Sequence, residues 1–382
     1  MSFHICQRCI YDESVPNITF DDHGICNYCH QVEVFEALFP NDERGEQELQ
    51  RLVAEMKKAG KGKKYDALIG VSGGCDSSYL MHLMTKKYGI RLLAVHFDNT
   101  WNSTIATENI HAVTDKLGID LYSYVVDSKE FDDLLLAHLR AGVKEIENPT
   151  DIGLATTMNM AAQKYSIKYK IDGHSFRTEG SAPIGWIYMD AKYIQSVHKQ
   201  FGKLPMQTFP NLWMSKQLRW MLFNRIKSVR PLYHLQYDKE AAKKLLTQEY
   251  GWAWYGGHHL ENRSTAFFHS YFFPKRWNYD FRIVGFSAYC RDGRMTRQEA
   301  LSLMKEEPFI EPGLLKYYKK RLNLTDEEFE HLMTLPKKYY TDFTTYKKTF
   351  EHLRPFFYLM AKWSLIPWSF YIKYTFPDRE SR

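Results

Sequence analysis

The sequence has no uncharged hydrophobic segment long enough to cross a membrane, and its first residues contain no apolar core of a secretory signal. The nearest candidate, residues 355–372, is apolar and aromatic, but it contains Lys362 and Pro367 and directly follows Arg354. We therefore expect a cytoplasmic protein without a transmembrane span. Residues 355–372 are expected to pack against the body of the protein or to make a weak contact with a membrane or a partner.

An excess of charge of one sign is also lacking, because 51 Lys and Arg residues stand against 45 Asp and Glu residues, for a formal net charge of +6. This small excess suits an anionic ligand but falls short of the basic footprint of a DNA-binding protein. Hydrophobic residues make up 44% and charged residues 25% of the chain, which excludes a disordered or fibrous protein. A length of 382 residues suffices for roughly two to three domains.

Cysteine is scarce and unevenly placed. Four of the six cysteines form two CxxC pairs, Cys6 with Cys9 and Cys26 with Cys29, with sixteen residues between the pairs. This spacing indicates a four-cysteine zinc site, and four thiolates leave zinc no open position, so the ion is expected to be structural. Two disulfides are the alternative, which a reducing compartment disfavours. We predict a zinc module over residues 1–40 and a helix with a linker over residues 41–63.

The phosphate-binding pattern GxxxxGK followed by Ser or Thr is absent, so a P-loop nucleotidase is not supported. A different glycine loop lies between a predicted strand, residues 67–71, and a predicted helix; it reads Ser72, Gly73, Gly74, Cys75, Asp76 and Ser77. Glycines let the main chain approach a ligand, and the unpaired amides at a helix start attract an anion. Asp76 would be repelled by phosphates unless a divalent cation lay between them, so the loop predicts bound Mg²⁺.

Strand and helix patterns alternate along residues 64–255. Apolar runs predict strands at 92–97, 121–126 and 169–172, and helical periodicity marks 106–117, 155–165 and 238–249. Such alternation predicts a parallel sheet with helices on both faces and with ligands at the carboxyl ends of the strands. The expected fold class is therefore α/β for residues 64–255, followed by a helical, aromatic-rich region for substrate or partner binding over residues 256–382.

The intact hexapeptide from Ser72 to Ser77 resembles the SGGxDS fingerprint of the PP-loop ATP pyrophosphatases, whose domain is of the adenine nucleotide alpha hydrolase type. The resemblance implies an enzyme that splits ATP between its α and β phosphates and adenylates an oxygen of its substrate. It also implies that ATP contacts extend beyond the loop. The implied further contacts are His96, Asp98, Gly173 and His174.

The chain beyond Trp252 contains Tyr255-Gly256-Gly257-His258-His259-Leu260-Glu261-Asn262, Phe273-Pro274-Lys275-Arg276 and Asp280-Phe281-Arg282. Together with the CxxC pairs ahead of the loop, this succession resembles the N-acetyl sugar amidotransferases of bacterial surface-polysaccharide synthesis. The resemblance implies that ATP and ammonia convert an acetamido group of a nucleotide-activated, UDP-linked sugar into an acetamidino group, for the O-antigen of lipopolysaccharide or a related glycan. Residues 186–228 and the tail after residue 339 depart from that family.

Candidate site residues follow from these patterns. The expected catalytic residues are Asp76, His258, Glu261, Lys275 and Arg282, and the expected substrate-binding residues are Arg177, Glu179 and Arg276. The cations among them suit a diphosphate, because positive charge is needed where phosphate charge develops, but each could equally be a solvated surface charge. His258 and Glu261 follow two glycines, a setting that can hold a general base or a ligand for sugar hydroxyls.

A source of ammonia is missing from the sequence. Ser2 follows Met1, so an amino-terminal cysteine nucleophile is not available, and Cys75 is part of the phosphate loop. We therefore expect a separate glutaminase subunit, and the family resemblance implies a barrel-shaped ammonia-channel subunit with it. The alternative function is that of a PP-loop tRNA-modifying enzyme. Thiolation would require further cysteines, and only Cys75 and Cys290 remain after zinc.

Overall fold

The fold is given by a computed structural model, which describes residues 4–180, 182–183, 185–257, 260–366 and 368–377. Five strands form its centre: β1 Ala67–Gly70, β2 Leu92–Asp98, β3 Asp120–Val125, β4 Tyr169–Ile171 and β5 Lys227–Val229. All pairings are parallel, and the order across the sheet is β3-β2-β1-β4-β5. The chain winds outward from β1 to β3 and then returns to β4 on the other side of β1. A crevice for ligands therefore opens at the carboxyl ends of β1 and β4.

Helices cover both faces of this sheet, as the alternating pattern predicts. The helices in the first two thirds of the chain are α1 Asn27–Leu38, α2 Glu43–Ala59, α3 Cys75–Lys86, α4 Thr104–Leu117, α5 Ser128–Ala141, α6 Asn148–Lys164, α7 Ala191–Phe201, α8 Met214–Arg219 and α9 Lys239–Tyr250. Successive side chains of β1 are buried on opposite faces of the sheet. Ala67 and Ile69 pack with α3 and α9, whereas Leu68 packs with α6. A strand buried on both faces requires the continuous apolar run that the sequence shows.

Helix α2 illustrates why these segments fold as they do. The side chain of Asp42 accepts a hydrogen bond from the amide of Arg44 and so satisfies one of the unpaired donors of the first turn. Leu49, Val53 and Met56 are then buried on one side, against the cluster beneath β1. The predicted helix ahead of the linker is therefore present.

The region after the sheet is helical and rich in aromatic residues. Its helices are α10 Arg263–Phe267, α11 Arg282–Arg291, α12 Arg297–Leu303, α13 Leu314–Arg321, α14 Asp326–Thr334, α15 Lys347–His352, α16 Arg354–Lys362 and α17 Trp368–Tyr374, and a π-helix spans Phe268–Trp277. Phe267, Phe268 and Phe273 belong to a cluster that also contains Phe131 of α5 and the four amino-terminal cysteines. One continuous core therefore joins the amino-terminal module, the sheet domain and this region. The predicted fold class is confirmed.

The apolar segment at residues 355–372 is divided between α16 and α17, which pack against each other. Phe357 and Met360 are buried in a cluster with Tyr193 of α7 and Met221, so the segment covers part of residues 186–228. Tyr358, Leu359 and Trp363 are largely exposed. In the part of the chain that the structure describes, no helix has both the length and the apolar character of a membrane span.

The four cysteines of the amino-terminal module meet at one point. The sulfur atoms of Cys6, Cys9, Cys26 and Cys29 all lie within 4.8 Å of one another, and all four residues are buried. No disulfide joins them: the closest sulfur pair, Cys26 with Cys29, is 3.6 Å apart. A closed set of four thiolate donors fits one tetrahedral zinc ion and leaves it no position for substrate.

Two arginines of the carboxyl-terminal region contact the cysteine cluster. Arg291, at the end of α11, donates hydrogen bonds to the sulfurs of Cys29 and Cys9, each at 3.3 Å, and its guanidinium stacks over the ring of Tyr11. Four thiolates around a divalent ion would carry net negative charge, for which the partly buried guanidinium of Arg291 would be a suitable counter-charge. Arg297 adds a bond from its Nε to the carbonyl of Cys9 at 3.1 Å.

We predict that the protein contains one zinc ion and that Cys9→Ser loses it. Zinc binding contributes about 10 to 16 kcal/mol to small sites of this kind, so its loss should unfold residues 4–40 without removing a catalytic metal. Metal analysis and limited proteolysis of the variant measure both effects. Cys290→Ser, which changes a cysteine outside the cluster, is the matched control and should keep its zinc. Reduced, folded protein without zinc would contradict the prediction.

Candidate active site

The turn after β1 is fixed by a close approach of two main chains. Gly73 has a φ of +81°, and a Cβ built on it would lie 2.2 Å from the carbonyl oxygen of Ala106 in α4. The carbonyl of Gly73 accepts hydrogen bonds from Nε1 of Trp252 at 3.0 Å and Nδ2 of Asn109 at 3.3 Å. Only glycine fits such a position, and the bonds hold the loop in one conformation.

The loop leads directly into the amino terminus of α3. Gly74 precedes the first residue of this helix, and its amide donates to Oγ of Ser72 at 3.3 Å. Unpaired amides and the helix dipole make this end of α3 attractive to an anion. The hydroxyl of Ser72 also donates to Oε1 of Glu261 at 3.2 Å, which joins the loop to the carboxyl-terminal region.

Asp76 lies in the first turn of α3 and has two close partners. Its Oδ1 accepts from the hydroxyl of Tyr237 at 2.6 Å, and its Oδ2 forms an ion pair with Nζ of Lys239 at 2.8 Å. Burial by itself would raise the pKa of Asp76, but Lys239 and these hydrogen bonds hold the pKa below its ordinary value. Asp76 is therefore a carboxylate at neutral pH.

Lys239 is a site residue that the sequence analysis missed. Its ammonium lies near two carboxylates of the cavity wall, 2.8 Å from Oδ2 of Asp76 and 3.9 Å from Oε1 of Glu179. Burial opposes its charge, but Asp76 and Glu179 raise its pKa well above the ordinary value, so it is a permanent cation. The two carboxylates supply the oxygen ligands that Mg²⁺ prefers, so these residues fit a magnesium ion bound together with phosphates.

The carboxyl end of β4 supplies a second set of polar groups. Nε2 of His174 donates to the carbonyl of Gly180 at 2.7 Å, which leaves Nδ1 to accept from the hydroxyl of Tyr233 at 3.0 Å. Burial and the nearby Arg230 lower the pKa of His174 to about 4, so the ring is neutral. His174 and Gly173 line the cavity beside Asp76.

The carboxyl end of β2 contributes His96. Its Nδ1 donates to the carbonyl of Val71 at 2.9 Å and its Nε2 accepts from Nδ2 of Asn102 at 2.8 Å, while burial lowers its pKa. His96 lines the cavity as a neutral ring. Asp98 has a local bond instead, because its Oδ1 accepts from the amide of Thr100 at 2.7 Å, and it is not part of the lining.

The predicted residues of the later part of the chain separate into two groups. Glu261 and Arg282 line the same cavity as the loop. Lys275 is half exposed and pairs with Glu307 at 3.2 Å. Arg276 is buried and donates to the main-chain carbonyls of Met333, Leu335 and Gly142.

Arg177 resembles Arg276 in its surroundings. Its guanidinium donates to the carbonyls of Tyr233 at 2.8 Å and Phe39 at 2.7 Å and lies over the ring of Phe176. The structure thus brings Glu179, but not Arg177, Lys275 or Arg276, to the cavity wall. His258 lies outside the described residues. The substrate and catalytic roles of these residues remain predictions.

The cavity at the loop has a volume of about 1140 Å³. A pocket for one small ligand usually has about 300 to 1,000 Å³, so this cavity has room for a nucleotide and a second ligand. Its far side is formed by the two segments that depart from the resembled family. Residues of these segments in the wall include Met189, Trp220 and Met221 from the first and Ile366, Phe370 and Tyr374 from the second.

We predict that Gly73→Ala abolishes ATP binding, because its methyl group would collide with the main chain of α4 and displace the loop. Gly118→Ala is the matched control: Gly118 has a φ of +65°, but nothing lies within 4 Å of its added Cβ. The control therefore carries only the cost of the left-handed conformation, about 1 to 2 kcal/mol. Calorimetric titration with ATP compares the two variants. Wild-type affinity in Gly73→Ala would show that the loop does not hold the nucleotide.

Comparisons with known proteins find similarity over parts of the chain. Residues 261–354 match the family described as LPS biosynthesis protein WbpG-like, C-terminal domain. The uncharacterized protein MJ1599 of Methanocaldococcus jannaschii is 25% identical over 170 residues, which make up 44% of this chain and 58% of that protein. The chain therefore matches less than two thirds of the length of this relative.

Two solved structures are similar to this chain at low identity and with TM-scores below 0.5. The U34-tRNA thiolase NcsA of Methanococcus maripaludis, solved with its 4Fe-4S cluster, has 14% identity and a TM-score of 0.33, over 85% of this chain and 90% of that one. The NMN synthetase of Francisella tularensis has 14% identity and a TM-score of 0.30, over 77% and 98% of the two chains. The predicted resemblance to proteins of surface-polysaccharide synthesis is borne out for residues 261–354, which are similar to the C-terminal domain of WbpG-like proteins of lipopolysaccharide biosynthesis. The loop that carries the SGGxDS pattern lies between β1 and α3 of the parallel sheet.

Proposed function

We propose that the protein is an ATP-dependent, AMP-forming amidotransferase that converts the N-acetyl group of a nucleotide-activated sugar into an acetamidino group. One observation carries the proposal. The hydroxyl of Ser72 in the nucleotide loop bonds to Glu261, the first residue of the WbpG-like segment, at the wall of a single cavity. A nucleotide loop and a polysaccharide-related segment that share one cavity are suited to one reaction on a sugar substrate.

The first step of the proposed reaction activates the amide. Its oxygen attacks the α-phosphorus of ATP, the bond to the β-phosphate breaks, and pyrophosphate leaves. The amides at the start of α3 bind phosphate, and Lys239 lies beside the loop to neutralise charge on the departing pyrophosphate. Mg²⁺, when bound at Asp76, supplies further charge neutralisation.

The second step replaces the activated oxygen by nitrogen. An amide oxygen is a poor leaving group, whereas AMP is a good one, so ammonia can displace it to give the amidine. We propose that ammonia comes from a separate glutaminase through a barrel-shaped channel subunit. The UDP-linked sugar, the O-antigen destination and the cytoplasmic location belong to the same proposal.

The chemistry of the remaining cysteines disfavours a thiolating tRNA enzyme. Burial and the neighbouring Asp76 raise the pKa of the Cys75 thiol to about 11, so it is a weak nucleophile at neutral pH. Its sulfur lies 3.6 Å from the hydroxyl of Tyr237, beneath the loop. Cys75 is thus a buried neighbour of the phosphate site and is poorly suited to carry sulfur.

We predict that Asp76→Asn strongly slows conversion of ATP to AMP and pyrophosphate, because the variant keeps the size of the side chain but loses the charge proposed to hold magnesium. Turnover should fall by about 10² to 10⁴-fold, and the fold should persist. Nucleotide products are separated by chromatography in the presence of a panel of UDP-linked 2,3-diacetamido sugars.

Asp115→Asn, an exposed change on α4, is the control and should leave turnover unchanged. ADP as the product of the wild-type protein would refute the assignment of the loop. Turnover that depends on bulk tRNA instead of a UDP-linked sugar would favour the tRNA-modifying alternative.

We predict that the isolated chain forms amidine with a high concentration of ammonium salt but not with glutamine. The reason is that neither Cys75 nor Cys290 stands in a glutaminase frame. Mass spectrometry of the sugar product measures the exchange of oxygen for nitrogen. Efficient use of glutamine by the isolated protein would show that no separate glutaminase is needed.

A further inference from the structure

A buried carboxyl group, Glu147, lies in the cavity wall and takes no part in the reaction proposed so far. Glu147 immediately precedes α6 and is only 7% exposed. Its Oε1 accepts a hydrogen bond from Oγ1 of Thr265 at 2.6 Å, and its Oε2 accepts from Oγ of Ser264 at 3.4 Å. Among the described residues, no lysine, arginine or histidine forms an ion pair with it.

Short α10 links this carboxyl group to the nucleotide loop. Glu261 bonds to Ser72, and Thr265, four residues later, bonds to Glu147. Glu261 precedes α10 and Thr265 lies within it, and Ser72 and Glu147 both line the same cavity. A substrate amide activated at the loop would therefore be within the part of the cavity that Glu147 borders.

The hydroxyl contacts hold the carboxyl group in place without neutralising it. Asn262, at the start of α10, adds support because its Nδ2 donates to Oδ1 of Asn99 at 2.8 Å, and Nδ2 of Asn99 donates to Oγ1 of Thr150 beside Glu147. A buried carboxyl without a cation is costly when ionised. Such a group takes up a proton readily, which is the property required of a general base.

The groups around Glu147 affect its pKa. The pKa of Glu147 is raised to about 8, mainly by burial and in part by the charge of Asp151, against the opposing hydrogen bonds from the hydroxyls of Thr265, Thr150 and Ser264. Tyr318 of α13 faces Glu147, and its own pKa is raised well above the ordinary value by burial and by that carboxylate. Glu145, also buried, bonds to the hydroxyl of Tyr193 at 3.0 Å instead.

We propose that Glu147 is the general base of the second step of the proposed function, on which this inference rests. The lone pair of ammonia forms the C–N bond at the adenylated amide carbon, which places a positive charge on the new nitrogen. The Glu147 carboxylate takes one proton from that nitrogen. The C–O bond then breaks, AMP leaves with the electron pair, and the amidinium product remains.

The test separates the two steps. Exchange of labelled pyrophosphate into ATP, in the presence of the sugar and without ammonia, reports adenylation, whereas mass spectrometry with ammonium salt reports amidine formation. Glu147→Gln should keep the exchange near the wild-type rate and lower amidine formation by about 10² to 10⁴-fold. Glu108→Gln, an exposed change on α4, should alter neither rate.

The pH profile gives a readout that a structural role would not produce. Amidine formation, expressed per concentration of unprotonated ammonia, should rise as the pH passes about 8, because only the ionised form of Glu147 accepts a proton. Asp151→Asn removes a repelling charge and should shift this limb to lower pH. Thr265→Val removes a hydrogen bond to the carboxylate and should shift it to higher pH.

Three results would overturn the inference. Equal amidine formation by Glu147→Gln and the wild-type protein, with exchange intact in both, would overturn this inference alone. The inference would also be overturned if amidine formation rose at the same pH in Asp151→Asn, in Thr265→Val and in the wild-type protein. Wild-type protein without sugar-dependent exchange would overturn the proposed function, and the role of Glu147 with it.

Discussion

The contact between Gly73 and the main chain of α4 is the constraint on which the site depends. It places the start of α3 against α4, and the bonds from Trp252 and Asn109 to the carbonyl of Gly73 bring the end of the sheet domain to the same turn. Once the turn is fixed, Ser72 is presented to Glu261 and Asp76 to Lys239. The positions of Ser72 and Asp76 in the cavity wall thus depend on the conformation of Gly73.

The charge of Lys239 is balanced by two carboxylates, Asp76 and Glu179. Asp76 and Glu179 share Lys239, and all three are largely buried. A buried carboxylate without this ammonium would be unfavourable, so the lysine stabilises the site before nucleotide arrives. If a divalent cation bound the two carboxylates, as proposed above, Lys239 would be in place to pair with phosphate.

Local patterns in the sequence predicted four of the five strands, several flanking helices, the loop and the cysteine cluster, because each depends mainly on residues that are near one another along the chain. Strand β5 and helix α5 were not predicted. Residues that act through distant contacts were missed. Lys239 lies 163 positions from Asp76, and Glu147 gains its setting from Thr265, 118 positions later. A sequence also does not distinguish an arginine that binds phosphate from one that donates hydrogen bonds to main-chain carbonyls. Arg177 and Arg276 were predicted to bind substrate, but both donate to main-chain carbonyls.

The bond between Arg291 and the cysteine cluster has a consequence for the order of synthesis. Cys29 and Arg291 are separated by 262 positions, so the surface on which the first module rests is made long after the module itself. At about 5 to 20 residues per second, the interval is tens of seconds. During that time the cysteine sulfurs of the nascent module lack the guanidinium that later donates hydrogen bonds to them. The contacts of the cysteine cluster are therefore complete only after α11 has been synthesised and has folded.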